Sequence, residues 1–161
     1  LKGLWELSWN HGDHRLIVSA PSYMFDLDAY DRPTDAARVQ QAEMTALAIA
    51  SADTWLCPRL HLAECSGQTL RVVCRVDGHL HLDANHGFTI ENANVTAAQI
   101  DPEDPQSVLL TLDRTPPPGA HLSYATNGTK GGLRDSWSYA SRTGTTLYRF
   151  ALPAQLPITY V

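Results

Sequence analysis

The stretch Leu70-Arg71-Val72-Val73-Cys74-Arg75-Val76 decides the fold, because its apolar side chains recur at every second position. Successive side chains of a β-strand point to opposite faces, so Leu70, Val72 and Cys74 would share one buried face. Further short runs follow at intervals of about 8 to 12 residues, separated by Gly, Asn, Asp and Pro, a spacing typical of an antiparallel sandwich. The predicted strands cover residues 70–76, 80–82, 88–90, 95–100, 108–112, 121–124 and 147–152.

The residues before this region follow the pattern of an α/β unit. Residues 14–20 (HRLIVSA) form an apolar run that ends at Pro21 and predicts a buried strand. Apolar side chains then recur at steps of three and four, which predicts an amphipathic helix up to Ala50 with its first turn capped by Asp31 or Thr34. The apolar stripe of this helix consists of Val39, Ala42, Ala46 and Ile49.

The change of pattern divides the chain into two parts. We predict a mainly β protein in which residues 59–161 form an antiparallel β-sandwich of the jelly-roll or immunoglobulin-like type. Residues 1–58 are predicted to form the strand, loop and helix that precede it. Trp5 and Trp9, four residues apart, are predicted to cover this α/β segment or a neighbouring subunit.

The composition restricts the class of partner. The chain has 161 residues, with 12 Lys and Arg against 17 Asp and Glu, and a formal net charge of −5. A chain of this length can form a stable apolar core without a bound metal or disulfides. Its negative net charge predicts no basic surface for nucleic acid or anionic lipid. No apolar run approaches the about 18 residues that span a bilayer, and residues 1–5 (LKGLW) lack a signal-peptide pattern. We therefore predict no nucleic-acid partner and no membrane insertion.

The three cysteines, Cys57, Cys65 and Cys74, are too few for a disulfide framework and odd in number. Their spacings of eight and nine residues do not match the close pairs of zinc sites. We interpret them as buried thiols, with their disulfide state left open.

Two groups of polar residues have the chemistry of metal ligands. On a strand, His79 and His81 would share one face with Asp83, and His86 follows, so a His-x-His metal site is one reading. The favoured reading is a solvent-facing side opposite a buried leucine face. The acidic run at residues 101–104 has oxygen ligands for calcium, but its prolines and the missing turn glycine favour a solvated turn. We predict no metal and no cofactor.

Two segments carry a resemblance to a known family. The run LIVSAPSY at residues 16–23 is followed by an Asp-containing loop, a helix and Trp-Leu-Cys-Pro at residues 55–58. Near the end, residues 124–136 read YATNGTKGGLRDS. This order resembles the C-terminal region of SGNH-hydrolase-like proteins of phages and prophages, in which a β-sandwich follows an esterase-like domain. The resemblance spans most of the chain.

The chain departs from that family at the catalytic residues. The family's last catalytic block is Asp-x-x-His, in which the histidine is the general base for a serine nucleophile. The corresponding place here is Asp28-Ala29-Tyr30-Asp31, so a carboxylate replaces the imidazole. Gly12-Asp13-His14 is only superficially similar to the nucleophile block Gly-Asp-Ser, because it precedes a predicted strand, and we assign it to a turn. The resemblance with these departures implies no catalytic residues in this chain.

A candidate ligand site lies in the segment from Leu133 to Arg142, which is predicted to be loop-like because glycines flank it. Aromatic rings stack on the apolar faces of sugars, and fixed polar groups pair with sugar hydroxyls. The segment contains both kinds of group, in Arg134, Asp135, Trp137 and Tyr139. In the alternative reading, the two rings anchor the loop on the sandwich while the arginine and the aspartate pair internally.

The leading hypothesis for function rests on the resemblance and the missing histidine. It is a non-catalytic virion-type structural or adhesion module, a fibre, spike or tail component, located in the virion or in the host cytoplasm during assembly. The expected partners are other virion proteins or copies of itself, and a cell-surface glycan is a further candidate. The alternatives are the C-terminal part of a carbohydrate O-acyl esterase of SGNH type and a free-standing carbohydrate-binding module.

Overall fold

The structure, a computed structural model, describes residues 17–51 and 54–161. Within these residues the chain forms a short 3-10 turn at Ser22–Met24, one α-helix and ten strands. The helix α1 covers Asp35–Ala50. The strands are β1 (Arg59–Ser66), β2 (Thr69–Arg75), β3 (Leu80–Leu82), β4 (Phe88–Ile90), β5 (Val95–Ile100), β6 (Ser107–Leu112), β7 (His121–Tyr124), β8 (Leu133–Ala140), β9 (Thr146–Phe150) and β10 (Ala154–Tyr160).

The strands form a large mixed sheet in the order β4-β7-β10-β1-β2-β6-β5 and a small antiparallel sheet in the order β3-β8-β9. Strand β10 pairs with different strands along its two halves. Its first residues, Ala154 to Pro157, pair antiparallel with β7, whereas Ile158 to Tyr160 pair parallel with β1. The change of neighbour falls next to Pro157, whose nitrogen has no proton to donate to a ladder.

Both sheets contribute to one apolar core. Residues from the large sheet, such as Leu70, Leu110 and Leu122, are fully buried and cluster with Leu80 and Leu133 of the small sheet. The prediction of a mainly β sandwich preceded by a short helical segment is therefore confirmed. The parallel pairing of β1 with β10 is the one departure from the predicted antiparallel arrangement among the described strand pairs.

The helix begins where the sequence indicates, because the Thr34 hydroxyl accepts a hydrogen bond from the backbone N–H of Ala37. Its buried face carries Ala37, Met44 and Ala48, which form a second apolar cluster with Phe25, Trp55 and Leu147. The predicted stripe lies on the opposite side: Ala42 and Ala46 are exposed, and Ile49 is 72% exposed. Apolar residues occupy two faces of α1, and the face that packs on the small sheet is not the predicted stripe.

Three strands were not predicted: β1, β8 and β10. The segment from Leu133 to Arg142, expected to be a loop, is largely strand β8, because its partners in β3 and β9 supply a ladder on both sides. Residues 17–20 of the predicted first strand have no strand pairing among the described residues, and residues 14–16 lie outside them.

The second apolar cluster combines Met44 and Trp55 with Leu147, so it draws on residues from both sides of the predicted boundary at position 58. The division into residues 1–58 and 59–161 stays a prediction. Over the described ranges, no helix is long and apolar enough to cross a membrane.

Candidate functional site

The four predicted ligand-binding residues lie on β8, where the strand divides them into two groups. The Arg134 guanidinium carbon lies 4.2 Å from the centre of the Tyr148 ring, and Arg134 Nε lies 3.7 Å from a carboxylate oxygen of Asp83. Trp137 packs edge-on against Trp55 at 5.0 Å between ring centroids and stacks on Tyr139 at 6.4 Å. The structure thus joins Trp137 and Tyr139 to the helical segment and places Arg134 with a different aromatic ring.

Asp135 is fully buried at 0% exposure and forms an ion pair with Arg149, with 2.7 Å between Asp135 Oδ2 and Arg149 Nη2. Its other oxygen accepts the backbone N–H of Trp137 at 2.9 Å. The Arg149 guanidinium lies within 5.7 Å of the ring centres of both Trp55 and Trp137. Burial raises the pKa of Asp135, while the Trp137 N–H and Arg149 act in the opposite direction. This carboxylate is held inside the protein, away from any surface ligand.

A second buried carboxylate connects α1 to the turn between β8 and β9. Glu43 is 5% exposed, and its side chain accepts hydrogen bonds from Ser141 Oγ at 2.6 Å and from the backbone N–H of Arg142 at 3.1 Å. The Arg142 Nε adds a third bond at 3.1 Å. The hydrogen bond from Ser141, followed by the one from the Arg142 backbone, holds the pKa of Glu43 below its ordinary value. This carboxylate clamps the hairpin turn to the helix.

The glycine-rich segment of the resemblance has a packing role. A Cβ on Gly131 would lie 2.2 Å from the Tyr124 hydroxyl oxygen, and a Cβ on Gly132 would lie 2.3 Å from the carbonyl oxygen of Asn85. Tyr124 itself is fully buried, and its hydroxyl accepts the backbone N–H of Leu133 at 3.0 Å. The absent side chains therefore allow two loops and a buried tyrosine to meet.

The block Asp28 to Asp31 forms a closed turn. One oxygen of Asp28 accepts the backbone N–H groups of Tyr30 at 2.8 Å and Arg32 at 3.0 Å, and the other lies 3.4 Å from Arg32 Nε. These backbone hydrogen bonds, with that of Arg32 first, lower the pKa of Asp28. Asp31 is exposed and has a φ of 57°, in the left-handed region. The turn predicted at Gly12-Asp13-His14, like Trp5 and Trp9, lies outside the described residues.

All three cysteines are buried and free, which confirms their interpretation as buried thiols. The Cys57 thiol donates to the carbonyl oxygen of Val18 at 3.5 Å. Burial raises the pKa of Cys57 and of Cys74 to about 12, so both groups stay protonated and unreactive at neutral pH.

Most residues of the two possible metal sites are either exposed or bound to an arginine. Leu80 is buried while His79 and His81 are exposed, as expected for a strand with one solvent-facing side. In the acidic turn, Asp101 and Asp104 bind the guanidinium of Arg71 at 3.1 and 2.7 Å. Across the part of the chain that the structure describes, no three His, Cys, Asp or Glu side chains are grouped closely enough to hold a metal ion.

Comparisons with known proteins give no family. No family model matches the chain, and no curated protein sequence matches it either. Among solved structures, the N-terminal part of the bacterial S-layer protein SbsC is 14% identical with a TM-score of 0.45, over 80% of this chain and 29% of that one. The recombinant SbsC fragment 31–844 is 15% identical with a TM-score of 0.42, over 80% and 17%. The chain spans less than a third of the SbsC structures that it matches.

Proposed function

We propose that the chain is a non-catalytic structural module of a virion-type surface assembly, a fibre, spike or tail component that provides assembly contacts. The observation that carries this proposal is the hydrogen bonding of the Asp28 to Asp31 block. In the SGNH-type proteins that the chain resembles, this block supplies a general base. Here the Asp28 carboxylate is occupied by two backbone N–H groups and by Arg32.

A carboxylate that already accepts several hydrogen bonds is a weak base, because those bonds stabilise its charged form. Its lowered pKa reflects that stabilisation. Asp31, the residue in the position of the family's histidine, is exposed to water at a turn with left-handed backbone geometry. This arrangement favours a structural role for the turn over a role of Asp31 in proton transfer.

The junction between the helical segment and the sandwich supports a mechanical role. The Glu43 carboxylate holds the β8–β9 turn with three hydrogen bonds. At a second point, the Tyr23 hydroxyl donates to the carbonyl oxygen of Ala151 at 2.6 Å. These two attachments, one buried and one partly buried, hold the helical segment on the sandwich, as expected for a module that keeps its shape in an assembly.

The competing esterase function is tested by acetate release from O-acetylated polysaccharide and from a chromogenic acetate ester. We expect the parent chain, Asp28→Ala and Asp31→Ala all to show only the rate of the buffer. Hydrolysis by the parent chain that disappears in Asp31→Ala would overturn the proposal. Asp28→Ala also reports on the turn, because losing its hydrogen bonds should lower the thermal midpoint while Asp31→Ala leaves it nearly unchanged.

The location is tested separately by electron microscopy with a gold-labelled antibody against the sandwich. We expect the label on the surface of purified virions from the producing cells. Virions that contain the protein in internal positions only, or label confined to cells that make no particles, would overturn a surface role.

A second candidate function is glycan binding, and it is favoured by the stacking of Arg134 on Tyr148. Ser138 pairs with Tyr148 across the strands and is exposed, and Asp83 lies beside Arg134. This set offers a ring, a cation and hydroxyl partners on one surface. We expect Tyr148→Ala to abolish retention on a glycan array, with the exposed Tyr30→Ala as the matched control. Retention that Tyr148→Ala leaves unchanged would exclude this surface.

A further inference from the structure

Among the described residues, the helix α1 has a second apolar face that is largely exposed. Opposite the buried side chains of Ala37, Met44 and Ala48, it exposes Val39 at 39% and Ile49 at 72%. Ala42 and Ala46 lie between them and are also exposed. A helix that is apolar on two opposite faces is typical of one that packs on both sides.

This face has a protrusion at one end and a recess at the other. Ile49 projects from the last turn of α1. Near the first turns, a shallow groove of about 410 Å³ lies between the helix and the β8–β9 turn, lined by Val39, Ala42, Arg142 and Thr143. The small side chain of Ala46 lies between the protrusion and the recess, where a neighbouring helix can approach closely.

We propose that a second copy of this chain docks on this face, with the two α1 helices antiparallel about a two-fold axis near Ala46. Ile49 of each copy then enters the groove beside Val39 and Ala42 of the other. Because a two-fold interface uses one patch twice, a protrusion and a recess on the same helix complement each other in both directions. The inference rests on the proposed structural role, since it names the partner and the surface for one assembly contact.

Charge complementarity supports this orientation. The last turn of α1 contains no basic residue, and its carbonyl groups carry the negative end of the helix dipole. The Arg142 side chain binds Glu43 through Nε, is 83% exposed, and lines the groove that would receive the last turn of the partner helix, to which its remaining N–H groups can donate. An antiparallel pair therefore places a cation beside each helix C-terminus, whereas a parallel pair does not.

The association is tested by sedimentation velocity on the full chain over a wide concentration range. We expect a concentration-dependent dimer, weak because one helix face buries less area than a stable interface of about 1,600 Å². Ile49→Glu should weaken association at least tenfold, which is about 1.4 kcal/mol. The matched control is Leu27→Glu, which adds the same charge at a residue 53% exposed outside the face. A monomer at every concentration, or a dimer that Ile49→Glu does not weaken, would overturn the proposal.

A cysteine at the axis gives a second, geometric test. Two copies of Ala46→Cys should form an intermolecular disulfide on mild oxidation, while Ala36→Cys, exposed on the same helix but far from the axis, should not. The native thiols are buried and do not compete. Equal cross-linking of both variants would contradict the two-fold arrangement. If this test fails while the virions are still labelled, the interface is excluded and the proposed function stands. If the chain hydrolyses esters, the proposed function is excluded and the dimer measurement is unaffected.

Discussion

The hydroxyl oxygens of Tyr23 and Tyr124 lie 3.2 Å apart, and the two rings meet edge to face with 6.4 Å between their centroids. Each residue belongs to one of the two segments that carry the resemblance, residues 16–23 and 124–136. The contact bridges 101 positions of the chain and joins the segment before α1 to strand β7. The residues just before α1 and strand β7 thus meet in one packed junction.

Removing the Tyr23 hydroxyl should weaken this junction. In Tyr23→Phe the ring stays in place, but the carbonyl oxygen of Ala151 loses its hydrogen bond from the phenol. We expect a loss of about 1 kcal/mol in the free energy of unfolding, measured by urea denaturation. The control is Tyr30→Phe, at a residue 76% exposed, which should leave the urea midpoint unchanged. Equal effects of the two variants would contradict the assigned role of Tyr23.

The same junction makes the fold sensitive to alkali. Burial raises the pKa of Tyr23 and of Tyr124, and raises the pKa of the Cys57 thiol to about 12. A raised pKa stabilises the folded state fully below the ordinary pKa, and this stability is lost as the pH rises toward the folded value. We expect the urea midpoint to fall from about pH 9 upward, as thiols and phenols of the unfolded chain ionise first. A midpoint constant up to about pH 11 would contradict this.

Glu43 should give the opposite pH dependence. Its pKa is lowered by Ser141 and Arg142, so its contribution to stability is present above the ordinary carboxyl pKa and is lost as the pH falls. We expect Glu43→Gln to lower the urea midpoint at neutral pH, and the difference from the parent chain to shrink below about pH 4. Asp35→Asn, at a side chain 98% exposed, is the control for removing a charge from the same helix. A difference for Glu43→Gln that does not change with pH would exclude an ionised clamp.

The buried pair of Asp135 and Arg149 calls for a double-mutant cycle. Arg149→Met leaves the buried Asp135 without its counter-ion, and Asp135→Asn leaves Arg149 with only the exposed Asp77 at 3.9 Å. We expect each variant to cost about 3 to 5 kcal/mol in urea denaturation. The double variant Asp135→Asn with Arg149→Met should cost less than the sum of the two, because no unpaired ion remains. Additive losses would show that the two groups do not interact.

Local sequence patterns predicted the strands whose side chains alternate cleanly, and they predicted the start of α1 from Thr34. They did not reveal β8, because its inward-facing side carries the buried Asp135 and the half-buried Trp137 instead of a row of aliphatic residues. The polar contacts of this region come from other elements: Asp135 pairs with Arg149 of β9, and Ser141, which follows β8, binds Glu43 across 98 positions. Pairings at such separations leave no periodic signal in the chain.

The candidate site shows the same limit. The composition of residues 133–142 predicted one group of candidate ligand-binding side chains, but spacing alone did not separate the group around Trp55 from the group around Tyr148. Likewise, the periodicity of α1 identified an apolar stripe but could not decide between its two apolar faces. That choice depends on the shape of the small sheet, which the helix sequence does not encode.

The passage of β10 from β7 to β1 has a consequence for biosynthesis. A ribosome makes β10 after every other described strand, so until then β1 and β7 each present an edge that the finished protein does not expose. Unpaired edges of this kind recruit strands from other chains. Crowded synthesis of many copies, as on a polysome, would therefore favour exchange of β10 between neighbouring nascent chains before each one closes on itself.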